Sequence, residues 1–297
     1  MLNETGILLL AIGHPYYGRM AYNLAMSLKA CNSSTHITLA YTESAIAHIN
    51  QRNMRVFDNK MCIADNDKPF GVKLQLYDLS PYRRTIYMDV DTLWINKQGP
   101  LVLFDSLNGV SFTGITEGMH DYKDSTKSDP SKYYYFWADV DEIYKVHDGD
   151  FWLQEKSKII YQWRSEFLYF EKNGLTVDLF NHAKEIYNNP NLKSIKNFAD
   201  HTPDELAINI ACAINGVHPH KYKWQPTYWD RLNGGNMLSI DELQSKYYAI
   251  SCGSNASGGA LKRIYNRICT ASAYKLGLQH VFPLVSKKEM LTNRQVM

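Results

Sequence analysis

The sequence predicts an α/β protein, a mostly parallel sheet flanked by helices with a small C-terminal segment, and three observations carry the prediction. Ile7 to Ile12 is an unbroken aliphatic run between Gly6 and Gly13, as in a strand covered on both faces. Met20, Ala21, Leu24, Ala25 and Leu28 follow at helical spacing, and His36 to Thr42 then reads as a second strand, so the chain opens strand, helix, strand. Within Tyr82 to Ile95, the residues Thr85 to Met88 form a further buried strand, and it ends in two acids, Asp89 and Asp91.

Composition bounds the alternatives. The 297 residues suffice for one large α/β domain or two modest ones, and a net charge of +2 lies far from the basic excess of a dedicated nucleic-acid binder. Cys31, Cys62, Cys212, Cys252 and Cys269 are odd in number, and no two form a Cys-x-x-Cys pair, so they read as reduced thiols of a cytoplasmic protein without a zinc site. The run Ile7 to Ile12 is too short to span a membrane. No Gly-x-Gly-x-x-Gly and no Walker lysine motif occurs, so any nucleotide is held otherwise than in dehydrogenases or P-loop enzymes.

In chain order, Gly13-His14-Pro15-Tyr16-Tyr17-Gly18 is the loop at the C-terminal end of the first strand, the edge where open α/β sheets hold ligands. Ile12, Gly13, His14 and Tyr17 are therefore candidate ligand contacts. A helix is predicted over Arg19 to Ala30, with Arg19 in its first turn as a phosphate partner or a solvated cation. Ser44 to Asp67 reads as a short helix and an irregular connection, and Phe70 to Leu79 as a helix ended by Ser80-Pro81. Leu101 to Phe104 and Val110 to Ile115 read as strands, and Met119 to Pro130 as a surface loop, a candidate lid, beside the aromatic cluster Tyr133 to Trp137. Ile159 to Trp163 and Phe167 to Phe170 read as one strand interrupted around Arg164-Ser165-Glu166, and polar residues within so apolar a segment mark Glu166 as a site candidate. Leu175 to Tyr187 is amphipathic. Thr202-Pro203-Asp204-Glu205 opens a helix through Asn215, its acids serving either the helix dipole or chemistry, with Glu205 and Asn209 on one face. His218 and His220 read as surface histidines. A strand Tyr247 to Cys252, a loop Gly253 to Gly259 and a basic helix from Ala260 close the chain, and such a loop entering a basic helix suits phosphate.

The two acids carry the chemistry. At a strand's side-chain period of two, Asp89 and Asp91 converge on one side, and hard carboxylate oxygens suit manganese or magnesium with positions left for a substrate's phosphates. An acidic turn at a strand end has the same composition.

The chain resembles the GT-A (Rossmann-like) glycosyltransferases, family 8 above all. Lys73-Leu74, a helix, Tyr82 and then Ile86-Tyr87-Met88-Asp89-Val90-Asp91-Thr92-Leu93 match the family's lysine-leucine, helix, strand and Asp-x-Asp-Thr-Leu without a gap. The resemblance implies that Asp89 and Asp91, with Val90 between them, bind Mn2+ (or Mg2+) on the diphosphate of a nucleotide sugar, and that Lys73 contacts the donor. Asp204-Glu205-Leu206-Ala207-Ile208-Asn209 resembles the Asp-Gln-Asp-x-Leu-Asn segment facing the reacting sugar, which implies catalytic roles for Asp204 and Glu205. Gly259-Ala260-Leu261-Lys262 resembles the end of the His-x-x-Gly-x-x-Lys phosphate motif, with Ala256 at the histidine's place and Asn255 or water as substitute ligand. Arg164-Ser165-Glu166 departs from the acceptor-side Asn-x-Gly segment near which it falls. The implied organisation is residues 1–235 as a nucleotide-sugar-binding catalytic domain and 236–297 as a segment completing the donor and metal site. The implied activity is retaining transfer from a nucleotide sugar, a UDP-sugar by family likeness, to a saccharide, protein or modified DNA acceptor. The opening also looks like that of phage-encoded transferases, for which hydroxymethylated bases are acceptors, and a nucleotide-sugar-binding protein without turnover is the alternative of another class.

Overall fold

The computed structural model describes residues 3–64, 70–121, 159–189, 203–229, 238–252, 259–279 and 281–283. The expected α/β architecture is present, a mostly parallel central sheet flanked by helices, its strands in the order Asn59–Cys62, Ile37–Tyr41, Asn3–Ala11, Tyr82–Met88, Ile159–Glu171, Phe112–Asp121, with a separate three-stranded sheet in the order Thr92–Trp94, Tyr247–Ser251, Gln225–Trp229. The chain forms two compact units from interleaved stretches. One comprises Met1–Glu4, Asn66–Ile86 and Gly109–Lys221, and the other Thr5–Asp65, Tyr87–Asn108 and Tyr222–Met297.

In the second unit, β1 (Asn3–Ala11) lies parallel to β2 (Ile37–Tyr41), Ile7 opposite Ile37 and Ala11 opposite Tyr41. Helix α1 (Pro15–Cys31) joins them and is buried almost all round, which no amphipathic stripe explains. Its polar residues are accordingly bonded. Ser27 Oγ accepts from the Trp94 amide at 3.0 Å, and Asn23 Nδ2 donates to the Tyr265 hydroxyl at 3.2 Å and to the Phe282 carbonyl at 2.5 Å. The helix begins four residues before its predicted start. Pro15 takes the first position, where its missing N–H costs nothing, and His14 caps through Nδ1, which accepts from the Tyr16 amide at 3.1 Å. Arg19 consequently sits in the second turn, not the first. Gly18 faces the four-residue helix α2 (Glu43–Ile46) so closely that a Cβ would lie 2.2 Å from the Ala45 carbonyl oxygen.

Three expectations for the following stretches are corrected. The irregular connection from Ser44 to Asp67 contains a strand, β3 (Asn59–Cys62), parallel to β2; its mostly exposed residues lack the burial pattern that announces a strand. Leu101 to Phe104 is not a strand but the first part of helix α4 (Leu101–Ser106), begun by Pro100. The predicted helix over Phe70 to Leu79 divides into a tight 3₁₀ stretch, Phe70–Gln75, and one α-helical turn, α3 (Leu76–Leu79).

Strand β4 (Tyr82–Met88) is buried at every residue but Arg83. After it come β5 (Thr92–Trp94), β6 (Phe112–Asp121) and β7 (Ile159–Glu171). The proposed lid begins three residues inside β6, and its remainder, with the Tyr133 to Trp137 cluster, lies outside the described residues. Helices α5 (Gly174–Asn188) and α6 (Asp204–Ile214) belong to the first unit. Strand β8 (Gln225–Trp229), helix α7 (Ile240–Lys246), strand β9 (Tyr247–Ser251) and helix α8 (Gly259–Lys275) complete the second. There β9 pairs antiparallel with β5 and parallel with β8. Among the described residues no helix is long and apolar enough to cross a membrane.

None of the five cysteines is in a disulfide. Burial raises the thiols of Cys31, Cys212 and Cys252 and pushes Cys269 to about 12, whereas Cys62 is exposed. The thiolate is the reactive form, so a raised thiol reacts only as pH climbs toward its pKa. Alkylation at neutral pH followed by peptide mass spectrometry is expected to modify Cys62 first and Cys31 slowly, leaving Cys212, Cys252 and Cys269 protected until the chain is unfolded. Modification of Cys269 at the rate of Cys62 would contradict this packing.

Candidate active site

The predicted site residues fall into two groups, one in each unit. In the second unit, strand β4 ends at Met88 and the acids that follow occupy a turn. Asp89 and Asp91 are therefore not brought together by the strand pleat, as the spacing suggested. The turn is held by its backbone: the Thr92 amide donates to the Asp89 carbonyl at 3.0 Å, the Thr92 hydroxyl donates to the same oxygen at 2.6 Å, and the Cys252 amide donates to the Asp91 carbonyl at 2.8 Å. With the main-chain oxygens so occupied and Val90 buried, both carboxylates remain half-exposed. The Tyr87 hydroxyl donates to Asp89 Oδ1, so a residue of the buried strand orients the first acid.

The loop after β1 is also fixed by named bonds. Gly13 has φ 77°, a left-handed conformation that favours glycine, and its amide donates to Thr42 Oγ1 at 2.8 Å. Ile12 is half-buried next to it, and Tyr17 is exposed with its ring edge-on to Tyr16, centroids 5.9 Å apart. Arg19 has its guanidinium 5.5 Å from the centre of the Phe282 ring, a cation–π contact that sequence reading missed because Phe282 lies far along the chain. Lys262 is half-buried in the first turn of α8, which Gly259 opens. Asn255 lies outside the described residues. Among the described residues no group of three or more His, Cys, Asp or Glu side chains is gathered for a metal. Two half-exposed carboxylates do suit a hard cation that takes its other ligands from water and phosphate.

In the first unit the geometry is tighter. Strand β7 keeps register with β6 from Phe170 to Leu168 and again at Arg164, but moving from Gly114 to Ile115 on β6 corresponds to moving from Leu168 to Arg164 on β7. Ser165, Glu166 and Phe167 are thus extra residues, a bulge, and this is the interruption that the polar triplet predicted. Gly114 stands opposite, where a Cβ would come within 2.9 Å of the Phe167 carbonyl oxygen. Arg164 and Glu166 form an ion pair at 3.5 Å.

Helix α6 supplies the bulge with acceptors. Glu205 Oε2 accepts from the Ser165 amide at 3.1 Å, and Asn209 Oδ1 accepts from the Trp163 amide at 3.2 Å. Four residues of helix advance about 6 Å and two of strand about 6.6 Å, so the i, i+4 pair on α6 matches the i, i+2 pair on β7. The side-by-side placement of Glu205 and Asn209 expected from spacing therefore has a partner. Lys73 Nζ, from the 3₁₀ stretch, donates to Ser165 Oγ at 3.1 Å, and Ser165 Oγ lies 3.4 Å from Glu205 Oε2. Asp204 is buried in the first turn of α6, whose cap position is Pro203 with no side-chain capping bond. Lys73, Ser165, Glu166, Asp204 and Glu205 are assembled in one unit; Ser165, which the spacing did not single out, is the residue on which three of these bonds meet. His218 is exposed beside Tyr161, its Nδ1 3.2 Å from the Tyr161 hydroxyl, in keeping with a surface histidine.

These elements define a GT-A glycosyltransferase fold, and solved structures share it. The bifunctional glycosyltransferase WbbM, in its apo form, superposes with a TM-score of 0.53 at 11% identity over 93% of this chain; the match covers 51% of WbbM, so this chain spans about half that protein's length. The galactosyltransferase LgtC, in complex with donor and acceptor sugar analogs, matches with a TM-score of 0.53 at 14% identity, covering 90% of this chain and 95% of LgtC. An active-site variant of LgtC matches with a TM-score of 0.52 at 13% identity over the same shares. No protein-family model and no curated protein matches the sequence.

Asn209 is fully buried and its side chain is the acceptor for the Trp163 amide. Replacing it with alanine strands that N–H, and Asn209→Ala is expected to destabilise the fold by about 1–3 kcal/mol. Urea unfolding measures this; an unchanged midpoint would show that the helix-to-bulge bond contributes nothing.

Proposed function

We propose that this chain is a metal-dependent glycosyltransferase that moves a sugar from a nucleoside-diphosphate sugar to an acceptor hydroxyl with retention of configuration. The observation that carries the reading is the turn Asp89-Val90-Asp91, fixed through the Asp89 and Asp91 carbonyls at the end of a buried strand, with both aspartates half-buried rather than in the core. Asp89 and Asp91 would hold Mn2+ or Mg2+, with Asn255 as a further ligand, and the ion when bound supplies positive charge for the departing diphosphate. By the resemblance, Lys262 would add a cation for the donor's phosphates in the first turn of the helix that Gly259 begins, and Lys73 would contact the donor. Ile12, Gly13, His14, Tyr17 and Arg19 form the donor's nucleotide side.

In the reaction the bond between the sugar's anomeric carbon and the diphosphate oxygen breaks, the electron pair leaves with the diphosphate, and the acceptor oxygen bonds the same carbon as its proton passes to the departing diphosphate. Asp204 and Glu205 are assigned to the cationic anomeric carbon, and Glu166 to the acceptor side. The match of the central block to family 8 favours a UDP-sugar. The structural likeness to LgtC, solved with donor and acceptor sugar analogs, supports a saccharide acceptor, and protein and hydroxymethylated DNA remain arms of the test.

A panel of nucleotide sugars with manganese, read by release of nucleoside diphosphate, decides the matter, and repeating it with saccharides, proteins and hydroxymethylated DNA identifies the acceptor. Turnover is expected with at least one donor, abolished by chelator and reduced by about a hundredfold or more in Asp91→Asn. Donor binding without turnover would instead make the chain a nucleotide-sugar-binding protein, and turnover indifferent to both chelator and Asp91→Asn would remove the metal assignment.

A further inference from the structure

We infer that Ser165 is a positioning residue that links the Lys73 ammonium to the Glu205 carboxylate through its own hydroxyl. An ammonium has only hydrogens to give, so Ser165 Oγ accepts from Lys73 Nζ at 3.1 Å, and the single hydroxyl proton is then left to point at Glu205 Oε2, 3.4 Å away. The Ser165 amide, donating to the same carboxylate oxygen at 3.1 Å, fixes the serine's main chain beside Glu205. With Ser165 only 5% exposed, water competes poorly for these bonds, and in such surroundings each strengthens the next.

Several features of the chain converge on this one residue. The three-residue bulge turns Ser165 out of the β6 ladder and leaves its amide for Glu205. Gly114 opposite leaves room for the bulge's carbonyl, and Asn209 ties down the strand just before it. The polar triplet Arg164-Ser165-Glu166 departs from the Asn-x-Gly pattern of the resembling family at this point, so the arrangement belongs to this chain's own residues. In consequence Glu205 acts through Ser165 on Lys73, and the ammonium is held in place before any donor binds. The role in catalysis rests on the transferase reading; the linkage itself does not.

The test therefore has two readouts. Competitive labelling of lysines with isotopic acetic anhydride, resolved by peptide mass spectrometry, reports how far the Lys73 amine is restrained, with exposed Lys60 as internal reference. Ser165→Ala is expected to raise Lys73 labelling by about fivefold, the worth of one buried hydrogen bond, while Ser165→Thr, which keeps the hydroxyl, stays near the native rate. Glu205→Gln, which keeps an acceptor but removes the charge, is expected to fall between. In the donor assay Ser165→Ala is expected to lower kcat/KM by about tenfold, and Ser165→Thr to recover most of it. Lys73 labelling unchanged by both Ser165→Ala and Glu205→Gln overturns the linkage. Altered labelling in a protein that turns over no donor keeps the linkage and removes the transferase reading, and turnover with unaltered labelling does the reverse.

Discussion

The constraint on which the second unit's site depends is the obligation of buried backbone to be hydrogen-bonded. Strand β4 is buried and stops at Met88, and the next three residues form a turn whose carbonyls need partners. Thr92 answers for Asp89 with both its amide and its hydroxyl, and Cys252, from the end of β9, answers for Asp91. The turn is thereby held through its main-chain carbonyls, with both aspartates half-buried. Buried Tyr87 extends the same logic by orienting Asp89 from within the strand.

The first unit solves a related problem. A bulge in β7 takes the Ser165 amide out of the ladder, and two side chains of α6, one turn apart, supply acceptors to that amide and to the Trp163 amide just before the bulge. Because one of those side chains is a carboxylate, the structural bond also brings a negative charge to Ser165 and, beyond it, to Lys73. Structure and chemistry share the same atoms there, which is why Glu205 reads as both an anchor and a site residue.

Much of this was legible in the sequence because it is written in local pattern. An aliphatic run bounded by glycines gave β1, a buried run ending in two acids gave β4, helical spacing gave α1 and α5, and the polar triplet in β7 marked the bulge. Pro15 signalled the true start of α1, yet the apolar period alone placed it at Arg19. What escaped was set by tertiary partners. The exposed residues of β3 make a strand only because β2 offers its edge, and Leu101 to Phe104 folds as a helix after Pro100 despite strand-like composition. The acids were found by sequence, but their convergence was ascribed to a pleat where the chain makes a turn. Ser165 was invisible as a hub because Lys73 and Glu205 meet it only in three dimensions.

The central claim is that Asp89 and Asp91 together hold a divalent cation, and the most direct measurement is titration with Mn2+ in the presence of a nucleoside diphosphate, following the free ion by electron paramagnetic resonance. The account predicts one saturable site in the native protein, lost in Asp89→Asn and in Asp91→Asn while their unfolding midpoints stay close to native. Undiminished manganese binding in both variants would contradict it.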